Sequence, residues 1–136
     1  LFSNLDEGVS RAMTGKTILV VDDDSTMRRL LMYHLEKAGY EVLIAEDGVE
    51  GLAKVESMRP NVVVTDLMMA HKDGFELCRD IRSRKEFDQI GIIVLTARDF
   101  LGDADELLAS GVNYVLKKPF NPQELANTVR ELIGDK

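Results

Sequence analysis

Six side chains of the kinds used in phosphoryl chemistry stand where apolar runs of this chain stop. Asp22, Asp23 and Asp24 follow "ILVV". Asp66 closes "NVVVTD", Thr96 closes "IGIIVLT", and Lys118, between Lys117 and Pro119, follows "YVL". Taken singly, a carboxylate there ordinarily caps the next helix and a lysine is ordinarily solvated. Gathered together they suit a different task. A hard divalent cation takes oxygen ligands in octahedral geometry, commonly one or two carboxylates with water and phosphate oxygens. Two carboxylates about 5 Å apart repel by roughly 3 kcal/mol at an effective dielectric near 20, and a cation between them reverses the sign. An aspartate in such a site can also be the nucleophile toward a phosphoryl group. The charge of the transferred group spreads over three oxygens. A cation, the Thr96 hydroxyl and the Lys118 ammonium could each take one.

Those residues meet only if the apolar runs are neighbouring strands of one sheet. "TILVV", "YEVLIAE", "NVVVTD", "IGIIVLTA" and "YVLK" are short and mostly β-branched, as expected of strands buried on both faces. Helical patterns alternate with them. Met27, Leu30, Leu31, Leu35 and Ala38 share one face of the first, begun by Ser25 or a neighbouring Asp, with Gly39 at its end. Asp47 caps the second, which uses Val49, Leu52, Ala53 and Val55 and stops at Pro60. The third, from about Phe75, turns Leu77, Cys78 and Ile81 inward. The fourth spans Asp103 to Ser110 with Leu107 and Leu108, and Gly111 ends it. The fifth opens on Asn121-Pro122-Gln123-Glu124, a capping box with Pro at the first helical position, and buries Leu125, Ala126, Val129, Leu132 and Ile133. Helix-length crossovers make a parallel sheet covered on both sides. Ligands of such folds bind beyond the carboxyl ends of the strands.

The 136 residues fit one domain, and a net charge of −7 without a basic stripe argues against direct nucleic-acid binding. The single cysteine, Cys78, forms no internal disulfide, and no zinc spacing is present, which fits a cytoplasmic protein. No signal peptide and no apolar run of membrane-spanning length, roughly 20 residues, is visible. Residues 1–15, "LFSNLDEGVSRAMTG", read as a leader or linker with the spacing of a short helix. A single-domain form and a cut from a longer protein are both open, and the opening on Leu1 rather than Met, with the odd leader, favours the cut.

With "VVDD", "VVVTD" followed by "DG", "VLTA" and "KPF" in this order, the chain from about Lys16 to Ile133 resembles a response-regulator receiver domain, similar to the bacterial chemotaxis regulator. The resemblance implies a flavodoxin-like five-stranded parallel sheet of order 2-1-3-4-5 with helices on both faces, and a receiver domain over residues 16–136. It implies that Asp66 is the phosphoacceptor. Asp22 and Asp23 then hold Mg²⁺ (or Mn²⁺) together with Asp66 and the Met68 backbone carbonyl. Thr96 is the hydroxyl that moves to the phosphoryl group and Lys118 the matching lysine, Lys117 being an exposed neighbour. Implied partners are a sensor histidine kinase or a histidine phosphotransfer protein. The domain would be a signalling switch rather than a turnover enzyme, catalysing only its own phosphorylation and slow dephosphorylation. The switching face is formed by the fourth helix, fifth strand and fifth helix, and two copies could also pair through it. The output partner or domain is left open.

The chain departs from the family pattern in three respects. Val115 stands where ring-swinging regulators carry an aromatic residue, and Tyr114, one residue earlier, points to the other face of its strand. Ala70 replaces a common proline. Met68 and Arg98 occupy positions whose side chains can admit or exclude hydrolytic water. A rival reading takes Asp22-x-Asp24-x-Thr26 as a phosphatase motif of the haloacid-dehalogenase type, with Asp22 as nucleophile and Asp24 as acid. It leaves Asp66 without a role. Met27, Met32, Met58 and Cys78 read as packing residues, His71 as a solvated loop histidine, and "RSRKEFD" as a solvated helix end.

Overall fold

Short runs rich in Val and Ile are stable as strands only where both faces of their sheet are covered. The computed structural model, which describes residues 15–69, 71–97 and 104–134, has that arrangement. Strands β1 (Thr17–Val21), β2 (Glu41–Ala45), β3 (Val62–Asp66), β4 (Gly91–Thr96) and β5 (Tyr114–Lys117) are all parallel. Their order is β2-β1-β3-β4-β5, as expected from the sequence. Helices α1 (Ser25–Lys37), α2 (Gly48–Met58), α3 (Gly74–Arg82), α4 (Ala104–Ala109) and α5 (Pro122–Ile133) alternate with them, and a 3₁₀ turn spans Lys85–Phe87.

The twofold alternation of strand side chains divides the core in two. Ile18, Val20, Val62, Val64, Ile93 and Leu95 face α1 and α5, meeting Leu31, Leu35, Leu125 and Val129. Leu19, Val21, Val63, Ile92 and Val94 face the other way, onto Val55, Leu77, Cys78, Ile81 and Leu107 of α2, α3 and α4. Tyr114 and Val115 obey the same rule: the tyrosine packs on the α5 side and the valine on the opposite side. The Tyr114 hydroxyl and a Glu131 carboxylate oxygen of α5 are 2.9 Å apart.

Some sequence expectations needed correction. Leu30, Ala38, Val49, Ala53 and Leu108 lie on exposed helix surface rather than in the core. So does Met58. α2 approaches the sheet through Gly51 instead, where an added Cβ would lie 3.2 Å from Val21 Cγ2. Asn121 accepts from the Gln123 N–H rather than from Glu124. The reciprocal capping box occurs at α3, where Asp73 accepts from Glu76 N–H and Glu76 from Asp73 N–H. "RSRKEFD" is not simply solvated. Phe87 is fully buried, with Arg59 and Arg84 guanidiniums 5.0 and 4.6 Å from its ring centre. The expected leader lies, Gly15 apart, outside the described residues, as do Ala70, Arg98 and Asp103.

Candidate functional site

Strand register brings the polar residues to one rim. Val21 pairs with Thr65, Asp66 with Leu95, and Thr96 with Lys117. The next residue on each outer path is Asp22 or Lys118. Asp22 N–H continues the ladder to Ala45 O at 3.1 Å, and Lys118 N–H bonds Thr96 O at 2.8 Å. The rim lies between β1 and β3, where the order of the strands reverses and doubly wound sheets leave a crevice.

One carboxylate oxygen each from Asp22, Asp23 and Asp66 lies within 4.8 Å of the others. Lys118 Nζ stands 3.3 Å from Asp66 Oδ1 and 3.9 Å from Asp22 Oδ2. Asp22 is 1% exposed. Its Oδ1 accepts from Asp24 N–H at 2.9 Å, while its Oδ2 is buried without a hydrogen-bond partner. Burial pushes the Asp22 carboxyl up to about 6; the Asp66 charge, and more weakly the Asp23 charge, add to this, while the Asp24 N–H and Lys118 oppose it. The Asp66 carboxyl is raised too, chiefly by burial and against the pull of Lys118. Carboxylates held this way gain from a nearby cation. Thr96 is fully buried, and its Oγ1 likewise has no hydrogen-bond partner. Three hard oxygen donors with an orphaned buried carboxylate oxygen match the ligand preference of Mg²⁺.

Of the residues singled out in the sequence, Asp22, Asp23, Asp66 and Lys118 come together, and Thr96 joins them at the same rim. Met68 follows Asp66 by two residues, with its side chain 66% exposed. Asp24 is used otherwise: its Oδ1 accepts from Thr26 N–H and caps α1. His71 meets Asp47, its Nδ1 3.2 Å from Asp47 Oδ2. Two supports were not read from sequence. Arg28 Nη1 donates to the Asp22 carbonyl oxygen at 2.6 Å, a bond with no local signature. Gly74 packs so close behind Asp66 that an added Cβ would collide with the Asp66 carbonyl oxygen and lie 3.0 Å from Leu67 Cα. The "DG" pair was the visible trace of that requirement.

This is a doubly wound α/β protein with an acidic oxygen site and a lysine at its switch point. The chain belongs to the response regulator receiver domain family, whose profile matches residues 18–130. It is 39% identical over 118 residues to the alkaline phosphatase synthesis transcriptional regulatory protein PhoP of Bacillus subtilis, a match covering 87% of this chain and 48% of that protein. It is 44% identical over 116 residues to the response regulator MprA of Mycobacterium sp. (strain KMS), covering 85% and 50%. The chain thus spans about half the length of these two relatives. Among solved structures it matches the Francisella response regulator 1452 receiver domain, with TM-score 0.81, 31% identity, and 88% and 97% of the two chains covered. The chemotaxis response regulator CheY4 of Vibrio cholerae matches with TM-score 0.78, 32% identity, and 86% and 98% covered. Phosphorylation-based signalling in two-component systems is the general function of this family. Among the described residues no helix is long and apolar enough to cross a membrane.

Proposed function

We propose that this receiver accepts a phosphoryl group on Asp66 from a phosphohistidine of a sensor kinase or phosphotransfer protein. The observation that carries the assignment is the position of Asp66. Its carboxylate gathers with those of Asp22 and Asp23 within 4.8 Å and has the Lys118 ammonium 3.3 Å from its Oδ1. The Asp22 side chain is too buried to reach a phosphoryl donor arriving from solvent, whereas the Asp66 side chain is 13% exposed. The phosphatase alternative asks Asp22 to be that nucleophile, and asks Asp24 to act as an acid while it caps α1.

Asp22, Asp23, Asp66 and the Met68 carbonyl would hold Mg²⁺ or Mn²⁺. When bound, the cation supplies charge neutralisation for the carboxylates and the phosphoryl oxygens. An Asp66 carboxylate oxygen forms the new P–O bond while the P–N bond to the donor imidazole breaks. Lys118 leaves its contact with the Asp66 carboxylate for a phosphoryl oxygen, and the Thr96 hydroxyl turns to another. Both groups lie at the ends of β4 and β5. Their movement biases an existing equilibrium and alters the face of α4, β5 and α5, the surface for an output domain or a second copy. Slow hydrolysis of the same bond resets the domain, which makes it a switch rather than a turnover enzyme.

The test is incubation with acetyl phosphate and Mg²⁺, followed by intact mass and peptide mapping. One phosphoryl group on Asp66 is expected, absent in Asp66→Asn. An equally modified Asp66→Asn would overturn the assignment. Steady hydrolysis of a small phosphate ester, abolished by Asp22→Asn, would favour the phosphatase.

A further inference from the structure

Asp66 and Met68 lead into the connection between β3 and α3, which needs a fixed shape if a carbonyl in it is to face a cation. Its two ends are secured by the body of the fold. Leu67 is buried, its N–H donates to Leu95 O at 2.9 Å, and its carbonyl accepts from Gly74 N–H at 2.8 Å. Farther along, the contacts come from α2, which contributes no side chain to the acid cluster. Gly48 is the first residue of α2, so its N–H has no partner within the helix. It donates instead to the Lys72 carbonyl oxygen at 2.9 Å. Asp47 serves both sides of this junction. Its Oδ1 accepts from Glu50 N–H to cap α2, and its Oδ2 meets His71 Nδ1 at 3.2 Å. The approach leaves no room for a side chain on α2. A Cβ on Gly48 would collide with the Lys72 carbonyl oxygen and lie 2.8 Å from Lys72 Cγ. The Lys72 ammonium is in turn paired with Asp80 of α3.

We propose that Gly48, supported by Asp47, is a positioning residue for the cation site. It clamps the backbone after Asp66 from outside, so that the Met68 carbonyl is presented alongside the three aspartates. The proposal rests on the assignment of Asp66 and its cation given above. Through Gly48, the opening of α2 and the cation site are coupled. Ordering one orders the other, and the coupling is reciprocal.

Two measurements on the full chain test this. The first is Mg²⁺ titration of wild type, Gly48→Ala and Gly51→Ala, followed by amide chemical shifts, with the urea midpoint of each. Gly51 is the control. It is also a close-packed α2 glycine, but a Cβ there meets side-chain methyls of Val21 and Leu77 at 3.2 and 3.3 Å rather than backbone. Gly48→Ala is expected to weaken Mg²⁺ binding by about tenfold, the usual cost of losing an outer support of a metal site. Gly51→Ala is expected to change the midpoint and leave Mg²⁺ affinity alone. The second measurement needs no variant: saturating Mg²⁺ should slow hydrogen exchange of the wild-type Gly48 amide. Wild-type Mg²⁺ affinity in folded Gly48→Ala, an equal loss in Gly51→Ala, or Gly48 exchange indifferent to Mg²⁺ would each overturn the clamp. A wild-type chain that binds no Mg²⁺ would overturn the cation assignment and the clamp with it.

Discussion

At the amino ends of the strands, Arg82 reaches from the end of α3 beneath the sheet and finds an acceptor in every direction. It donates to the carbonyl oxygens of Gly111 at 2.9 Å, Phe87 at 3.2 Å and Ile90 at 2.7 Å, and to Asn113 Oδ1 at 3.2 Å. Asn113 Oδ1 also accepts from Ile92 N–H, and Asn61 Oδ1 accepts from Thr17 N–H, both at 2.8 Å. At the carboxyl ends, polar groups are buried more deeply yet left short of hydrogen-bond partners. Asp22 Oδ2 and Thr96 Oγ1 have no hydrogen bond, and the Asp22 and Asp66 carboxylates share the Lys118 ammonium. An unmade buried hydrogen bond costs more than a made one contributes. The contrast therefore separates a rim that holds the fold together from a rim held under electrostatic and hydrogen-bonding strain, ready for a ligand.

The contrast is broken most severely at Arg82. Arg82→Ala should lower the stability measured by urea unfolding by about 3 kcal/mol, because it strands several acceptors at once. Mg²⁺ affinity should stay at the wild-type value; a parallel loss would show that the two rims are not independent. Asp22→Asn should act in the opposite sense, raising cation-free stability by about 2 kcal/mol while weakening Mg²⁺ binding. The pH dependence follows from the same group. Its carboxyl is raised from the ordinary 3.8 to about 6 in the fold. A group raised by folding contributes its full stability below its unfolded value and loses it as pH rises through the folded value. The Asp66 shift has the same sign. Without cation, the Asp22 carboxyl should therefore lower the urea midpoint between about pH 4 and pH 6, and Asp22→Asn should remove that contribution. A midpoint that rises over the same interval would contradict the strain. The smallest effect is expected at Thr96→Val. Removing an unpaired buried hydroxyl at nearly constant volume should stabilise the cation-free domain by about 1 kcal/mol, while altering the lifetime of the phosphorylated form.

Strand positions were legible because buried parallel strands leave unbroken Val and Ile runs, and Asp66, Thr96 and Lys118 could be placed on one rim from the order of those runs alone. Helix faces were read less well. Val49 and Ala53 fit an apolar stripe by spacing, yet α2 lies against the sheet through Gly51, and a glycine gives no hydrophobic signal. Phe87 was hidden by the charges around it. Arg84, one of the charges that made "RSRKEFD" look solvated, stacks on its ring, and Arg59 from beyond the run does the same. Distances lie beyond any sequence pattern. Nothing in "AEDG" announces that Gly48 N–H reaches Lys72 O across the top of the fold.

Cys78, the only cysteine of the chain, sits in the α3 core with its thiol pushed up to about 12, chiefly by burial. At neutral pH fewer than about one molecule in ten thousand carries the reactive thiolate there. For spectroscopy, this makes the native domain almost thiol-silent. A cysteine introduced at an exposed position such as Val49 can take a probe without competition, and any labelling of Cys78 itself reports that α3 has opened away from the sheet.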